Sequence, residues 1–320
     1  LPVVENKPVA EDTAILRLRD GQLRRMSPRM VDKYLAQPGA KDEVVETIQT
    51  ATDETLYFFT NRGNCFMLDV TRIPETMKLK DRGSLLTGLI AGLADHEHAV
   101  ALVCVKSDEM AKKGDFLFIT KNGQVKRTAA AEYGIRRARF AAINLKGNDE
   151  LVGMVQVDPE DKDDIILITQ LGMALRFKLD TVSCTGRATA GVRGIDVGKD
   201  DEVRWFEIPK AGDMLFVLSD RGFGKRMLSD DVERQGRAGK GQKLLPMNKT
   251  GETGTQVAVC LNVTGAKSVR VEQKHGHMVL LNMDEIAVER RASKGQLLVN
   301  VLLDDVVQYG ALTAETKDEK

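Results

Sequence analysis

DMLFVLSDRGFGKRMLSDDVERQGRAGKG, residues 213–241, is the stretch whose reading decides the fold. An apolar run, Met214-Leu215-Phe216-Val217, leads into a polar turn that ends at Gly222. A second run carries Lys225 and Arg226, and an acidic joint (Asp230, Asp231) follows. The stretch closes on Gln235-Gly236-Arg237-Ala238-Gly239-Lys240-Gly241. Four or five consecutive apolar or β-branched residues read as a strand buried on both faces. A Gly near the end of the turn supplies the positive φ that a tight hairpin needs. The first half is therefore a β-hairpin. The second half is a cationic, glycine-rich loop, a composition suited to a phosphate backbone.

Working outward, the hairpin recurs. It stands as AILRLRDGQLRRM around Gly21, LYFFTNRGNCFML around Gly63 and FLFITKNGQVKRT around Gly123. It returns as IILITQLGMALRF around Gly172 and, beyond the opening stretch, as SVRVEQKHGHMVLLN around Gly276. A third short run follows the loop in three copies: Ala142–Leu145, Val192–Ile195 and Leu297–Val299. A fourth closes most copies: Val100–Val105, Leu151–Val157, Val203–Ile208 and Val257–Leu261. Four strands in about fifty residues, six times over, predict an all-β, six-bladed β-propeller-like pinwheel. The blades occupy residues 12–313. Residues 1–11, with two prolines, read as a linker or ring-closing segment, and 314–320 (AETKDEK) as a flexible tail. In the first copy, Lys33 to Ala40 reads as the loop.

Composition narrows the functional classes. A single Trp and 5% aromatics lack the per-blade signature of WD40 repeats and argue against an aromatic-lined sugar cleft. The start at Leu1, without an apolar leader, reads as a piece of a larger polypeptide with neither signal peptide nor membrane span. Cys65, Cys104, Cys184 and Cys260 are spaced for no metal motif and read as buried free thiols in a reducing cytoplasm. His96 with His98 and His275 with His277 form His-x-His pairs, each without an evident third ligand. Gly236 and Gly241 have the spacing of P-loop glycines, yet Gln242 stands where that loop needs Lys. No nucleophile–base ordering is present, so no catalytic residue and no cofactor is expected.

Charge is decided by its distribution. Lys plus Arg (47) balance Asp plus Glu (47), which argues against a uniformly basic protein. The cations nevertheless recur at fixed places in the repeat. Arg24 with Arg25, Lys126 with Arg127, Arg176, and Lys225 with Arg226 follow their turn glycines. The loops add Arg136, Arg137 and Arg139, then Arg187, Arg237, Lys240, Arg291 and Lys294. Arg187, Arg237 and Arg291 each precede a Gly by four residues. Asp158, Glu160, Asp161, Asp163 and Asp164 collect in another connection. Repeated folds place equivalent positions on equivalent surfaces, so these cations predict a positive belt able to hold DNA or RNA by its phosphates. Gln235, Gly239 and Gly241 join the candidate set because small residues let backbone amides approach a phosphate.

With LYFFTNRGNCFMLDVTRIPE and FLFITKNGQVKRTAAAEY as hairpins, the chain resembles the C-terminal domain of the A subunit of bacterial type IIA topoisomerases, DNA gyrase and topoisomerase IV. The resemblance runs from about Asp12 to Thr313. It implies a β-pinwheel whose blades exchange strands, and a non-catalytic module that binds and bends or wraps double-stranded DNA without sequence preference. It also implies partnership with the ATPase subunit, besides the rest of the A subunit, in a cytoplasmic, nucleoid-associated enzyme. The gyrase signature Q-R-R-G-G-K-G usually stands in the first blade. Here the nearest match is Gln235 to Gly241 in the fifth repeat, with Gly236 in place of Arg and Ala238 in place of Gly. Both gyrase and topoisomerase IV remain open on this reading, as does a protein-interaction propeller.

Overall fold

Each hairpin forms from turn chemistry that is local. In the computed structural model, which describes residues 9–313, all six turn glycines have φ between +76° and +90°. Each donates its N–H to the carbonyl three residues earlier, as Gly123 does to Thr120 and Gly222 to Ser219. A hydroxyl then caps the turn: Thr60, Thr120, Thr169 and Ser219 accept from Asn64, Gln124, Met173 and Phe223 N–H. A carboxylate ahead of the closing strand ties the turn to it. Asp149, Asp201 and Asp305 accept from the Asn122, Leu171 and His275 N–H groups at 3.0, 2.9 and 3.1 Å.

The first repeat runs β1 (Asp12–Leu18), β2 (Gln22–Met26), α1 (Pro28–Leu35), α2 (Ala40–Glu43) and β3 (Val44–Ala51). The second has β4 (Thr55–Thr60), β5 (Asn64–Asp69), β6 (Ser84–Leu85), α3 (Leu86–Leu89) and β7 (Ala99–Val105). The third has β8 (Asp115–Thr120), β9 (Gln124–Ala129), β10 (Arg139–Ala141) and β11 (Leu151–Val157). The fourth has β12 (Asp164–Thr169), β13 (Met173–Lys178), β14 (Val192–Arg193) and β15 (Val203–Glu207). The fifth has β16 (Met214–Ser219), β17 (Phe223–Leu228), β18 (Gln242–Lys243) and β19 (Val257–Asn262). The sixth has β20 (Ser268–Gln273), β21 (Met278–Asn282), β22 (Gln296–Leu297) and β23 (Val307–Leu312).

The short third strand of the second to sixth repeats leaves its own hairpin and completes the preceding sheet. The sheet orders are β3-β1-β2-β6, β10-β5-β4-β7, β11-β8-β9-β14, β15-β12-β13-β18, β19-β16-β17-β22 and β21-β20-β23. Antiparallel pairs such as Val192 with Val125 and Met173 with Lys243 set the exchange register. This is an all-β, six-bladed propeller-like architecture with strand exchange. Of the described residues, 9–113 with 130–142 form one compact unit and 114–129 with 143–313 a second. The first holds two sheets and the second four.

First strands such as β8 and β12 are buried along their whole length, because cover on both faces demands unbroken apolar runs. In the second unit the core gathers Leu117, Ile119, Ile165, Leu167 and Phe177, and further on Leu215, Val217, Phe216 and Leu218.

The structure corrects four sequence expectations. Residues 33–40 are not a simple loop. Ser27 caps α1, Pro28 starts it, and its Val31 and Tyr34 pack inward. The third strand of the third repeat is Arg139–Ala141, not 142–145. Asp164 belongs to β12 and is buried, not part of the acidic connection. The sixth sheet has three strands among the described residues. Met278 there is 62% exposed, while its counterparts Leu23, Cys65 and Val125 lie under an exchanged strand at 0%. The linker expectation for 1–8 and the tail expectation for 314–320 fall outside the described residues.

Candidate nucleic-acid interface

The cations after the turn glycines divide by position. Those four residues past the glycine are staples of the strand exchange. The Arg127 Nε donates to Asp115 at 2.7 Å, and the Arg176 Nε donates to Asp164 at 2.7 Å. Arg25 and Arg226 reach the Ile73 and Ile286 carbonyls, each at 2.7 Å. Their own backbone carbonyls accept from the incoming loop: Thr76, Thr185, Gln235 and Glu289 N–H bond Arg25, Arg127, Arg176 and Arg226. The backbone of all four thus holds the next repeat's loop, and the side chains of Arg25, Arg176 and Arg226 reach that repeat too, whereas the Arg127 guanidinium turns back to Asp115 and the Pro159 carbonyl.

Those three residues past the glycine point inward. Lys126 has no exposed surface and lies 4.9 Å from the centre of the Phe118 ring. Lys225, also fully buried, donates to the carbonyls of Arg290, Arg291 and Ser293 at 3.0, 2.6 and 2.6 Å. Burial pushes its pKa down to about 8, Glu289 and Asp231 pull it upward, and Arg291 pushes it down. Arg24 is half-buried, its guanidinium 4.9 Å above the Tyr34 ring. For Lys126 and Lys225 the expectation of phosphate contact is corrected: alternation turns this face of the strand into the fold, out of reach of a duplex. Arg25, Arg127, Arg176 and Arg226 are likewise drawn into carbonyl and carboxylate pairs.

The loop cations behave differently. In the second unit the loops 183–191, 233–241 and 287–295 are joined in series. The Arg237 Nη1 donates to the Arg193 carbonyl at 2.6 Å, and the Arg291 Nη1 to the Lys243 carbonyl at 2.9 Å. The Ala238 N–H bonds the Gly194 carbonyl, and the Asp196 N–H bonds the Gly239 carbonyl, each at 2.8 Å. Each of these two arginines therefore ties its loop to the exchanged strand of the loop before it. Lys240 and Lys294 are exposed, and Arg187, Arg237 and Arg291 are half-buried. Sequence reasoning missed Arg193 and Lys243. Both are exposed on the exchanged strands, where the residue after Val192 or Gln242 turns outward. The signal available was alternation within a strand of two residues, too short to read. Arg136, Arg137 and Arg139 are exposed in the first unit, Arg139 lying 5.5 Å from the centre of the Phe66 ring.

Gly241 serves the fold. Its φ is +76°, and a Cβ there would stand 2.3 Å from the Ala174 carbonyl oxygen of β13. The close approach that the sequence suggested for a phosphate is taken by the neighbouring strand. Gly239 leaves room near Leu175, and the Gln235 side chain is exposed while its N–H bonds the Arg176 carbonyl. Gly241→Ala is expected to destabilise the second unit by about 2 kcal/mol or more, from the left-handed backbone and the forced shift of β13. Urea unfolding checks this, and a loss under about 0.5 kcal/mol would contradict it.

The remaining side-chain expectations resolve simply. Cys65, Cys104 and Cys260 are buried free thiols, but Cys184 is exposed, which corrects the sequence reading. His277 faces Asp305 at 3.3 Å and His275 faces Asp304 at 3.9 Å. Among the described residues no cluster of His, Cys, Asp or Glu could hold a metal ion, and no helix is long and apolar enough to cross a membrane.

Comparison with known proteins places this geometry. The family model of the DNA gyrase C-terminal domain, a β-propeller, matches residues 114–158, 163–210 and 213–254. The DNA gyrase A subunit of Deinococcus deserti is 32% identical over 98% of this chain, which spans 40% of that relative. The chain belongs to the DNA gyrase C-terminal domain family. The DNA topoisomerase 4 A subunit of Bacillus subtilis is 33% identical over 74% of the chain, covering 29% of that relative. The crystal structure of the C-terminal domain of DNA topoisomerase IV shares the fold, with a TM-score of 0.83 at 24% identity, over 95% of this chain and 94% of that one. The DNA gyrase A C-terminal domain structure gives 0.64 at 19% identity, over 95% and 100% of the two chains. The gyrase and topoisomerase IV relatives thus have similar identity to this chain where they align, the gyrase subunit over more of it, and both extend well beyond the stretch present here.

Proposed function

We propose that this domain binds duplex DNA through the phosphate backbone and bends or wraps it, as a non-catalytic part of a type IIA topoisomerase. The observation that carries the reading is the serial linkage of loops 183–191, 233–241 and 287–295. It sets Arg193, Lys240, Lys243 and Lys294 on consecutive exchanged elements of one unit, held in place by Arg237 and Arg291. Flexible lysines on a rigid backbone are point charges suited to phosphates and offer no bidentate reading of bases. Bending a site of about 20–30 base pairs by 40–90° costs about 1–6 kcal/mol, which many modest phosphate contacts offset. Arg136 and Arg137 of the first unit extend the same chemistry. The partners are double-stranded DNA, the ATPase subunit, plus the remainder of the A subunit; the setting is the bacterial cytoplasm at the nucleoid, and no cofactor is required by the domain.

The expected result is a steep salt dependence. About five phosphate contacts give a slope of about −4.5 for log affinity against log salt. Filter binding to unrelated duplexes should show the same slope and nearly equal affinities. A slope shallower than about −2 would sink the reading. Ligation of nicked plasmid in the presence of the domain separates wrapping from bending. A linking-number shift proportional to bound protein marks a gyrase-type wrap, and binding without a shift marks topoisomerase IV-type bending.

A second reading rests on one observation. Leu302 and Leu303 are 64% and 98% exposed in the last repeat, where the matching connection of the fourth repeat is Asp196 to Glu202. That apolar turn suits a protein contact. It takes precedence if the purified domain fails to bind DNA at low salt.

A further inference from the structure

We propose that Lys225 is a positioning residue for the basic loop 289–295, holding the loop from inside and so setting where Arg291 and Lys294 stand. What the loop then touches rests on the DNA reading above; the latch itself does not.

The geometry is that of a bound cation. Three carbonyls from four consecutive residues, those of Arg290, Arg291 and Ser293, converge on the Lys225 Nζ at 2.6 to 3.0 Å. An ammonium has three donors, so each finds one acceptor. The carbonyls of Arg290 and Arg291 turn inward, and the side chains of Arg291 and Lys294 are left to reach outward. Arg291 then meets the Lys243 carbonyl of the neighbouring exchanged strand. The charges facing the ammonium are Glu289, Asp231 and Arg291, and Asp231 is itself paired with Arg290 at 3.4 Å. The Ser293 hydroxyl closes the loop onto Glu289 and accepts from the Gly295 N–H.

The chain contains its own control. Leu175 occupies the equivalent position in β13, fully buried, and still β18 pairs with that strand. The strand exchange therefore does not need a cation at this position. Lys225 adds something else, a defined path for the loop that follows. The sequence offered Lys225 as a phosphate ligand. The structure gives it an indirect part, through the two cations that its loop displays.

The test copies the internal control as Lys225→Leu. Trypsin cleaves after Arg290 and Arg291, the two residues whose carbonyls Lys225 holds, and cleavage requires those carbonyls to swing free. Under native conditions the variant is expected to be cut there at least tenfold faster than wild type, relative to cutting after Arg237. Lys225→Arg, which keeps the charge and the donors, is expected to restore much of the protection. The salt slope for DNA should fall by about 0.9 as the Lys294 phosphate contact is lost. Unchanged cleavage at Arg290 and Arg291, or cleavage that rises equally after Arg234 and Arg237, overturns the latch. Faster cleavage with an unchanged DNA slope upholds the latch and overturns the loop's assignment to DNA. Should Lys225→Leu fail to fold, amine-detected NMR of the wild type decides: slowly exchanging Nζ protons support the cage, and protons exchanging at the rate of surface lysines refute it.

Discussion

Replacing Arg193, Lys240, Lys243 and Lys294 together by Gln is expected to weaken binding to duplex DNA by about a thousandfold at about 0.1 M salt. The counterion argument gives the size: each phosphate contact is worth about 0.9 in log affinity per decade of salt, so four contacts amount to about 10³–10⁴ relative to 1 M. The fold should survive, because none of the four side chains carries the exchange. The Arg193 and Lys243 groups that bond Arg237 and Arg291 are backbone carbonyls, which Gln retains. Among the described residues only Arg193 of the four pairs with a carboxylate, Asp196 at 3.8 Å and largely exposed, a pair worth little. Gel shifts across a salt series, with circular dichroism and an unfolding curve beside them, provide the check. An affinity within tenfold of wild type in a folded variant would move the DNA path off these loops.

The second large effect concerns stability. Asp164→Leu is expected to cost about 3–5 kcal/mol, enough to unfold a marginal domain near physiological temperature. Asp164 is the shared acceptor of two arginines, Arg176 at 2.7 Å and Arg234 at 2.9 Å, and its own side chain is 2% exposed. Removing it leaves the Arg176 guanidinium, itself little exposed, facing an apolar side chain at the junction of the fourth sheet with the loop of the fifth repeat. The Arg234 side chain is 53% exposed and can turn to water. Arg176→Met is therefore expected to cost less than Asp164→Leu, because Asp164 keeps Arg234. Urea unfolding of the two variants orders them, and the reverse order would show that Arg176, not Asp164, anchors the joint. Any loss of DNA binding by either variant should follow the folded fraction, in contrast to the four-residue Gln variant.

Local chemistry accounts for how much of the architecture could be read beforehand. The run Phe118-Ile119-Thr120-Lys121-Asn122-Gly123 carries its strand, hydroxyl cap and left-handed Gly within six residues, so the hairpin needs no distant information. The same holds for Leu167 to Gly172 and Val217 to Gly222. The exchanged strands were legible only as short runs. Val192 and Gln242 become strands because the edges of β9 and β13 receive them, and a strand of two residues has no pattern of its own. In the first repeat, Ser27 and Pro28 were a helix start in plain view, masked by the expectation that every repeat carries the same loop.

The candidate site was legible as a place and not as a set of side chains. Periodicity located the cations correctly at two points of the repeat, after the turn glycine and in the loop. It could not assign them to solvent or interior. Lys225 and Lys240 are the same residue type fifteen positions apart, and one is enclosed by three carbonyls while the other stands in water.

The sequence by itself determined six hairpins of one kind, their order and their family, because turn geometry and apolar runs are short-range properties. Only the tertiary structure decided which charges are available to a polyanion. Each exchanged strand covers part of the hairpin before it, so the exposure of a Lys or Arg depends on a loop about fifty residues further along the chain. Arg127 meets Asp115 and accepts from Thr185, while Arg193 and Lys243, unremarkable in the sequence, are carried to the exposed edge. Burial is a property of the partner that arrives, and that partner is fixed by the fold.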